Sequence, residues 1–290
     1  MSFESKLDEG KFVVTAEISP PKGTDIAGLL KDASMIKDFA DAINVTDNQR
    51  AVMRMSPVAA CSILESKGYE TIMHMTCRDR NRIALQSELL GAFALGIKNI
   101  IIMSGDHPVK GDHESAKPVY DMASVQLLGL VQKLNTGFDF SGNRLEGSTN
   151  FCAGAVTNIE LSEIAHIKLK KKINQGARFI QTQAVFDIEK FSVFLDKIKD
   201  TGISKSRIIA GIIPLKSEKS ARFLNNNIAG IKVPQDLIDR MKNARNPQNE
   251  GMEIAAGLIK ELHGMCGGVH IMPIGNHEKT KDILEMAGII

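Results

Sequence analysis

The chain has 290 residues, of which 43% are hydrophobic, enough for one large domain or two small ones. Its 36 Lys and Arg residues nearly balance 34 Asp and Glu residues, which argues against the clustered basic surface of a nucleic-acid-binding protein. No apolar run reaches the roughly 18 residues of a membrane span, no secretory signal is recognised, and the four cysteines are far apart. We therefore expect a cytoplasmic protein with neither a disulfide framework nor a cysteine-based metal site.

Short apolar runs alternate with segments of helical periodicity along the chain. The runs predict eight strands, at 12–18, 41–46, 71–76, 98–103, 150–155, 179–182, 207–213 and 269–272. Helices are predicted between and after them, at about 26–39, 55–66, 80–95, 118–134, 158–175, 188–198, 217–226, 234–243, 249–263 and 278–287. Eight strand–helix units favour a (β/α)8 TIM barrel of the α/β class, formed as a single domain by residues 1–290. A doubly wound open sheet is the alternative, but no G-x-G-x-x-G follows the first strand.

Polar side chains stand at the carboxyl ends of several predicted strands, where parallel α/β folds bind their ligands. Glu17 ends the first strand, Thr46 ends the second, and His74 lies near the end of the third. Asp106 follows the fourth strand, and Gly105 before it lets the backbone turn close to a ligand. Ordinary alternatives are an ion pair for Glu17, a core position for His74 and a turn cap for Asp106. Their shared place at one end of the strands predicts a single site.

The chemistry that these side chains offer is acid–base catalysis. Glu17 has apolar neighbours along its strand, so we expect burial to raise its pKa and to make it a general acid near neutral pH. Asp106, in a polar turn, is expected to stay charged. Glu17, His74 and Asp106 could also hold a metal ion, but they belong to separate strands, and we expect no metal.

Five segments resemble, in order and spacing, the 5,10-methylenetetrahydrofolate reductases. They are TAEISPP, NVTDN, HMTCRDR, IIMSGDHP and QGARFIQTQAVFD, and the similarity is clearest from about residue 12 to residue 213. The resemblance implies a flavin-bearing (β/α)8 barrel. In that family reduced flavin passes a hydride to the methylene carbon of 5,10-methylenetetrahydrofolate, which gives 5-methyltetrahydrofolate.

The resemblance also implies roles for individual residues. Glu17 matches the general acid that protonates the bridging nitrogen of the substrate, and Asp106 matches an aspartate near the flavin ring and the folate. The implied flavin-binding residues are Thr46, His74, Met103, Ser104, Gly105, Asp106, Ala123, Ala155 and Lys172, with Lys172 placed for a phosphate. The implied substrate-binding residues are Glu17, Thr46, Asp106, Gln183 and Phe223.

Two of the chain's departures from the family pattern concern residues that bind the adenosine half of FAD and the folate. After the fifth strand it reads AVTNIELSEI, without the Tyr, Pro and His that hold the adenosine half of FAD, and Ala165 replaces an expected acid. Near the end, Asn276 and His277 are the candidates to replace a folate-binding arginine. The implied cofactor is FAD, with FMN as the alternative, and the electron donor is either NAD(P)H or a partner electron-transfer subunit.

We also expect an oligomer. Two other functions stay open. One is a pterin-binding barrel that transfers a methyl group without redox chemistry. The other is a barrel that serves as a subunit of a larger electron-transfer complex.

Overall fold

The computed structural model describes residues 1–228 and 230–290. Within them, parallel strands form a closed barrel in the order β1-β2-β3-β4-β5-β6-β7-β8, with β8 paired to β1. The strands are β1 (Val13–Ile18), β2 (Ala42–Val45), β3 (Thr71–Thr76), β4 (Asn99–Met103), β5 (Cys152–Thr157), β6 (Phe179–Ala184), β7 (Arg207–Ile212) and β8 (Gly268–Ile271). The predicted (β/α)8 barrel is confirmed.

Helices surround the barrel. They are α1 (Phe3–Asp8), α2 (Ala27–Ile36), α3 (Pro57–Glu65), α4 (Arg82–Ala94), α5 (Ser124–Asn135), α6 (Glu163–Asn174), α7 (Ile188–Lys197), α8 (Glu218–Asn227), α9 (Gln235–Asn243), α10 (Pro247–Leu262) and α11 (Thr280–Met286). The strand faces that point outward pack beneath these helices, as Ile100 and Ile102 of β4 do in one cluster with Leu127 and Val131 of α5. Burial on both faces explains why β4 reads as an uninterrupted apolar run.

The helices differ most from the predictions at three points. The sequence pattern did not predict α1, which is only 6 residues long and precedes the first strand. The helix predicted from residue 118 begins at Ser124, because Val119 instead donates its backbone N–H to the carbonyl oxygen of Arg78 at 2.7 Å. The helix predicted from residue 158 begins at Glu163, where the Ser162 hydroxyl caps it.

Every second residue of each strand points into the barrel, and these side chains lie in layers. The layer at the N-terminal end is apolar and includes Val13, Ala42, Ile72, Ile101, Phe179 and Ile209. Phe3 of α1 packs edge-on against Phe179, with ring centroids 5.3 Å apart. A Cβ atom at Gly154 would lie 2.3 Å from the Phe179 ring, so glycine is what leaves room for this ring. Together these contacts close the N-terminal end of the barrel.

The next layer, two residues further along the strands, is buried but polar. Its members are Thr15, Asn44, His74, Gln181 and His270. Gln181 Nε2 lies 3.4 Å from Thr15 Oγ1, and Gln181 Oε1 accepts a hydrogen bond from Asn44 Nδ2 at 3.0 Å. Asn44 Nδ2 also lies 2.9 Å from His74 Nε2, and Thr15 Oγ1 lies 3.0 Å from His270 Nδ1. Hydrogen bonding within the layer allows these polar groups to be buried.

Candidate active site

A cavity of about 1000 Å³ opens above the polar layer, at the carboxyl ends of the strands. Nine of the predicted site residues line it: Glu17, Thr46, His74, Met103, Gly105, Asp106, Lys172, Gln183 and Phe223. Three predicted residues are not in the lining. Ser104 is exposed, Ala155 is fully buried in the core, and Ala123 is exposed at the start of α5. Glu17 and Asp106 therefore face one cavity although they come from distant strands.

Asp106 lies at the rim of this cavity, directly after β4. Its carboxylate is 43% exposed and lies 3.3 Å from Lys110 Nζ, while its carbonyl oxygen accepts a hydrogen bond from Arg78 Nη1 at 3.2 Å. The preceding Gly105 has a φ of +82°, and a Cβ atom there would lie 3.0 Å from the Thr76 side chain. Glycine is thus required at this turn, which holds a negative charge at the cavity.

Glu17 lies deeper, against the polar layer. Gln49 Nε2 donates a hydrogen bond to Glu17 Oε1 at 2.9 Å, and His270 Nε2 lies 3.7 Å from Glu17 Oε2. Burial raises the pKa of Glu17, but its contact with His270, with smaller contributions from His74 and Gln49, outweighs burial, so the pKa is lowered. The expected upward shift of the Glu17 pKa is therefore wrong. The apolar neighbours along β1 point outward, whereas the groups that face Glu17 inside the barrel are polar.

His74 is both a core histidine and a residue of the cavity floor. Burial lowers the pKa of its imidazole to about 4, so the ring is neutral at pH 7. Its Nε2 atom is within hydrogen-bond distance of Asn44, as described above. His74 therefore offers the cavity a neutral ring held in a fixed orientation.

Lys172 of α6 provides a cation at another wall of the cavity. Its ammonium donates a hydrogen bond to the carbonyl oxygen of Val156 at 2.6 Å. Burial and the nearby charge of Lys168 lower the pKa of Lys172 to about 8. No ion pair to Lys172 is found within residues 1–228 and 230–290. Two lysines that repel each other beside a cavity are suited to bind a phosphate.

Asp47, at the end of β2, organises the cavity without offering its charge to a ligand. Its fully buried carboxylate accepts hydrogen bonds from the Thr76 backbone N–H at 2.9 Å and from the Thr76 hydroxyl at 2.8 Å. Arg80 pairs with the same carboxylate at 2.8 Å. The cluster fixes the ends of β2 and β3 relative to each other.

Several cavity residues were missed in the sequence analysis. His270 could have been found, because it is a polar residue at an inward position of β8, where its backbone pairs with Thr15. Gln49 and Arg50 lie in the loop after β2, where no strand periodicity indicates which side chains face the cavity. Cavity residues in such a loop can be identified only from the structure.

The two candidates to replace the folate-binding arginine are placed differently. His277 is buried and lines the cavity, with Nε2 3.0 Å from the carbonyl oxygen of Glu17 and Nδ1 3.4 Å from Asp32 Oδ1. It therefore ties the loop after β8 to the end of β1. Asn276 does not line this cavity.

Two other kinds of feature are missing from the described part of the chain. Residues 1–228 and 230–290 contain no group of three or more His, Cys, Asp or Glu side chains placed to hold a metal ion. In the same residues, no helix combines the length and the apolar composition needed to cross a membrane.

Similar folds occur among solved structures. A Clostridium thermocellum protein, described as uncharacterized and binding two copies of 5-methyl-5,6,7,8-tetrahydrofolic acid, superposes with a TM-score of 0.68 at 16% identity. The match covers 100% of this chain and 99% of that protein. A ligand-free mutant of tryptophan synthase from M. tuberculosis superposes with a TM-score of 0.55 at 10% identity, over 100% of this chain and 99% of that one. At such identities the likeness shows the fold alone.

Sequence relatives indicate the family, whereas the similar structures show only the fold. Methylenetetrahydrofolate reductase 1 of Schizosaccharomyces pombe is 26% identical over 76% of this chain and 36% of its own length. A probable NADPH-type methylenetetrahydrofolate reductase of Caenorhabditis elegans is 25% identical over 99% of this chain and 44% of its own length. The chain thus spans less than half of these eukaryotic relatives. The 5,10-methylenetetrahydrofolate reductase of Salmonella typhimurium is 27% identical over 88% of this chain and 83% of its own length. The family model for methylenetetrahydrofolate reductase matches residues 2–288, so this chain belongs to that family.

Proposed function

We propose that this chain reduces 5,10-methylenetetrahydrofolate to 5-methyltetrahydrofolate with the help of a bound flavin. The observation that carries the proposal is that Glu17 and Asp106 line one cavity in a chain of this family. Both carboxylates come from the carboxyl ends of barrel strands, where (β/α)8 enzymes have their active sites. We further propose that the whole chain forms one catalytic domain, which works in the cytoplasm and as an oligomer.

Two features of the cavity support a bound flavin. Its volume of about 1000 Å³ is at the upper end of ordinary ligand sites, and Lys172 has no anionic partner among the described residues. We propose that Lys172, with Lys168 beside it, holds a phosphate of the cofactor, while Thr46, His74 and Gly105 contact the ring system.

The remaining contacts to the cofactor are less direct. Met103 would supply apolar contact, and Ser104, Ala123 and Ala155 remain expected contacts from the family resemblance. The cofactor is FAD, with FMN as the alternative, and in its reduced form it supplies a hydride to the substrate.

We propose that Glu17 delivers the proton that the reaction needs. Glu17 Oε2 and His270 Nε2 are 3.7 Å apart, and Thr15 Oγ1 holds the other ring nitrogen of His270 at 3.0 Å. Glu17, in contact with His270, can pass a proton to the bridging nitrogen of a folate that lies above it. A bound folate would also displace water from the carboxylate, and desolvation raises a carboxyl pKa. Binding of the substrate would thereby favour the protonated form of Glu17, which is the form that acts as the acid.

Asp106 would contribute charge rather than a proton. Ring opening of the substrate gives a cationic iminium, and a carboxylate at the rim stabilises positive charge that develops nearby. Gln183, Phe223 and Thr46 also line the cavity. We propose that Gln183 binds the pterin ring by its amide and that Phe223 packs against the rest of the folate.

The proposal is tested with the purified chain under anaerobic conditions. We expect a yellow protein that converts 5,10-methylenetetrahydrofolate to 5-methyltetrahydrofolate when supplied in turn with NADH, NADPH, reduced ferredoxin and a reduced viologen dye. Activity with the dye alone would indicate a missing electron-transfer subunit. Colourless protein that binds neither FAD nor FMN, yet transfers a methyl group from 5-methyltetrahydrofolate, would replace the proposal by the methyltransferase alternative.

A further inference from the structure

We propose that Arg50 binds the glutamate carboxylates of the folate and so selects substrates that carry this tail. The inference rests on the proposed function and adds a residue that the family resemblance did not indicate. It starts from the cations that line the cavity: Arg50, Arg54, Arg78, Lys168, Lys172 and Lys216.

Most of these cations already have polar partners. Arg78 pairs with Asp79 at 2.6 Å, Arg54 donates to the carbonyl oxygen of Pro20 at 3.0 Å, and Lys216 donates to that of Ile274 at 2.5 Å. Lys172 donates to the carbonyl oxygen of Val156, and Lys168 lies beside it, at the wall assigned above to a phosphate. Arg50 remains: across residues 1–228 and 230–290, no hydrogen bond or ion pair involves its guanidinium.

The position of Arg50 relates it to the reaction centre. Its guanidinium carbon lies 5.7 Å from the centroid of the Phe223 ring, which is within the range of a cation–π contact. Arg50 follows β2, whereas Phe223 belongs to α8, which follows β7. The strands between them in the closed barrel are β8 and β1, which carry His270 and Glu17. The contact therefore spans the mouth of the cavity on the side where the acid lies.

This placement matches the shape of a folate. If the bridging nitrogen lies at Glu17, the aminobenzoyl ring and the glutamate extend outward from it. Phe223 is then the aromatic surface that meets the ring, and Arg50 is the cation beside it that meets the carboxylates. A planar guanidinium is well suited to bind carboxylate with two parallel hydrogen bonds.

The backbone holds Arg50 in place. Asn48, Arg50 and Ala51 have φ values of +47°, +57° and +57°, a conformation that non-glycine residues rarely adopt. Neighbouring contacts enforce it. The Asn48 side chain accepts from the Arg54 N–H at 2.9 Å, and a Cβ atom at Gly111 would lie 1.9 Å from the Ala51 carbonyl oxygen. Strained backbone that its surroundings enforce is common at ligand-binding sites, because it presents a side chain in a fixed direction.

The test measures binding of 5-methyltetrahydrofolate and of 5-methyltetrahydropteroate, which lacks the glutamate, to the flavin-loaded protein by calorimetry. The variant is Arg50→Asn, because asparagine tolerates positive φ and should not add strain. We expect about tenfold weaker binding of the glutamate-bearing ligand and less than twofold change for the tail-less one. Arg50→Lys should restore part of the affinity, since it keeps the charge but not the planar fork.

Two controls complete the design. Arg245→Asn removes an exposed arginine that does not line the cavity, and it should leave both affinities unchanged. Raising the salt concentration should weaken binding of the glutamate-bearing ligand to the wild type but not to Arg50→Asn. Equal affinities of wild type and Arg50→Asn, or equal losses for both ligands, would overturn the role of Arg50. Failure of the wild type to bind either ligand would instead overturn the proposed function.

Discussion

The two ends of the barrel interior bury different kinds of side chain. At the N-terminal end, the rings of Phe3 and Phe179 pack together, and Gly154 leaves the space that they need. At the other end, Glu17 and His270 face a cavity of about 1000 Å³. In both regions the strand residues point inward because alternate residues of a strand face the same side. Inward side chains near the start of a strand pack the core, whereas those two to four residues further along line the candidate active site.

The largest effect is expected at the polar end, from Glu17→Gln. This change removes the proposed acid but keeps a side chain of the same size, so it should slow folate reduction by about 10²–10⁴-fold. Flavin content and flavin reduction by the electron donor should stay near those of the wild type. Stopped-flow absorbance measures the two half-reactions separately. Glu261→Gln, which changes an exposed glutamate of α10, is the matched control. Normal oxidation of the reduced flavin by folate in Glu17→Gln would remove Glu17 from the mechanism.

The apolar end should respond in stability rather than in activity. Phe179→Ala removes a fully buried ring, and we expect it to lower the free energy of unfolding by about 3–5 kcal/mol. Denaturant unfolding followed by circular dichroism measures this change. Phe138→Ala, at a ring that is 43% exposed, should have little effect.

Gly154 provides a second control for the same contact. Gly154→Ala should destabilise the wild type by about 1–3 kcal/mol, because the new Cβ atom overlaps the Phe179 ring. The same change should be nearly neutral once Phe179 is alanine. Additive losses in the double variant would show that the Phe179 contact is not what requires glycine at residue 154.

His74 allows the polar layer to be tested through pH. Its pKa falls from 6.5 to about 4 on burial, so the unfolded chain binds this proton first as the pH is lowered. Protonation of His74 in the unfolded chain therefore does not affect the free energy of unfolding above pH 6.5, but it lowers that free energy progressively between pH 6.5 and pH 4. The loss should be about 3 kcal/mol, at roughly 1.4 kcal/mol per pKa unit.

The variant His74→Gln should reduce this pH dependence, because glutamine can bond to Asn44 but does not titrate. The measurement is the free energy of unfolding in denaturant at pH 7 and at pH 4.5. His113→Gln is the control, since the His113 side chain is 62% exposed. An unchanged loss of stability between the two pH values in His74→Gln would mean that other groups cause it.

The comparison of the two ends also shows what the sequence could predict. All eight strands were predicted because each one repeats a buried apolar pattern, and strand ends then led to Glu17, His74 and Asp106. In a parallel barrel, position along a strand alone decides which end a residue faces, so local information is sufficient.

Other features depend on residues that are far apart in the chain. The pKa of Glu17 moves opposite to the expectation because of His270, which is more than 250 residues away and reaches it only when β8 pairs with β1. The role of α1 depends in the same way on Phe179. Arg50 takes its direction from a strained loop that no periodicity describes. These features follow from closure of the barrel and from loop packing rather than from local pattern.

The smallest expected effect concerns the cation at the cavity wall. Lys172 is charged at pH 7 although burial lowers its pKa to about 8, so its charge should weaken the ligand-free protein. Between about pH 8 and pH 10.5, Lys172 is protonated in the unfolded chain but largely neutral in the folded protein. Because the unfolded state binds more protons in this range, the free energy of unfolding rises with pH there. Lys172→Met should remove this dependence and raise the free energy of unfolding at pH 7 by about 1–2 kcal/mol, after allowance for solvent screening.

The same variant should bind flavin less tightly, by about tenfold if the lysine holds a phosphate. Thermal unfolding of the flavin-free protein measures the gain in stability, and fluorescence titration with FAD and FMN measures the loss of affinity. Lys170→Met, at an exposed lysine of the same helix, should change neither quantity. A variant that gains stability and keeps its flavin affinity would show that the charge serves no phosphate. A variant that loses both would show that the alkyl chain of Lys172 packs as part of the core, because methionine would then fail to replace it.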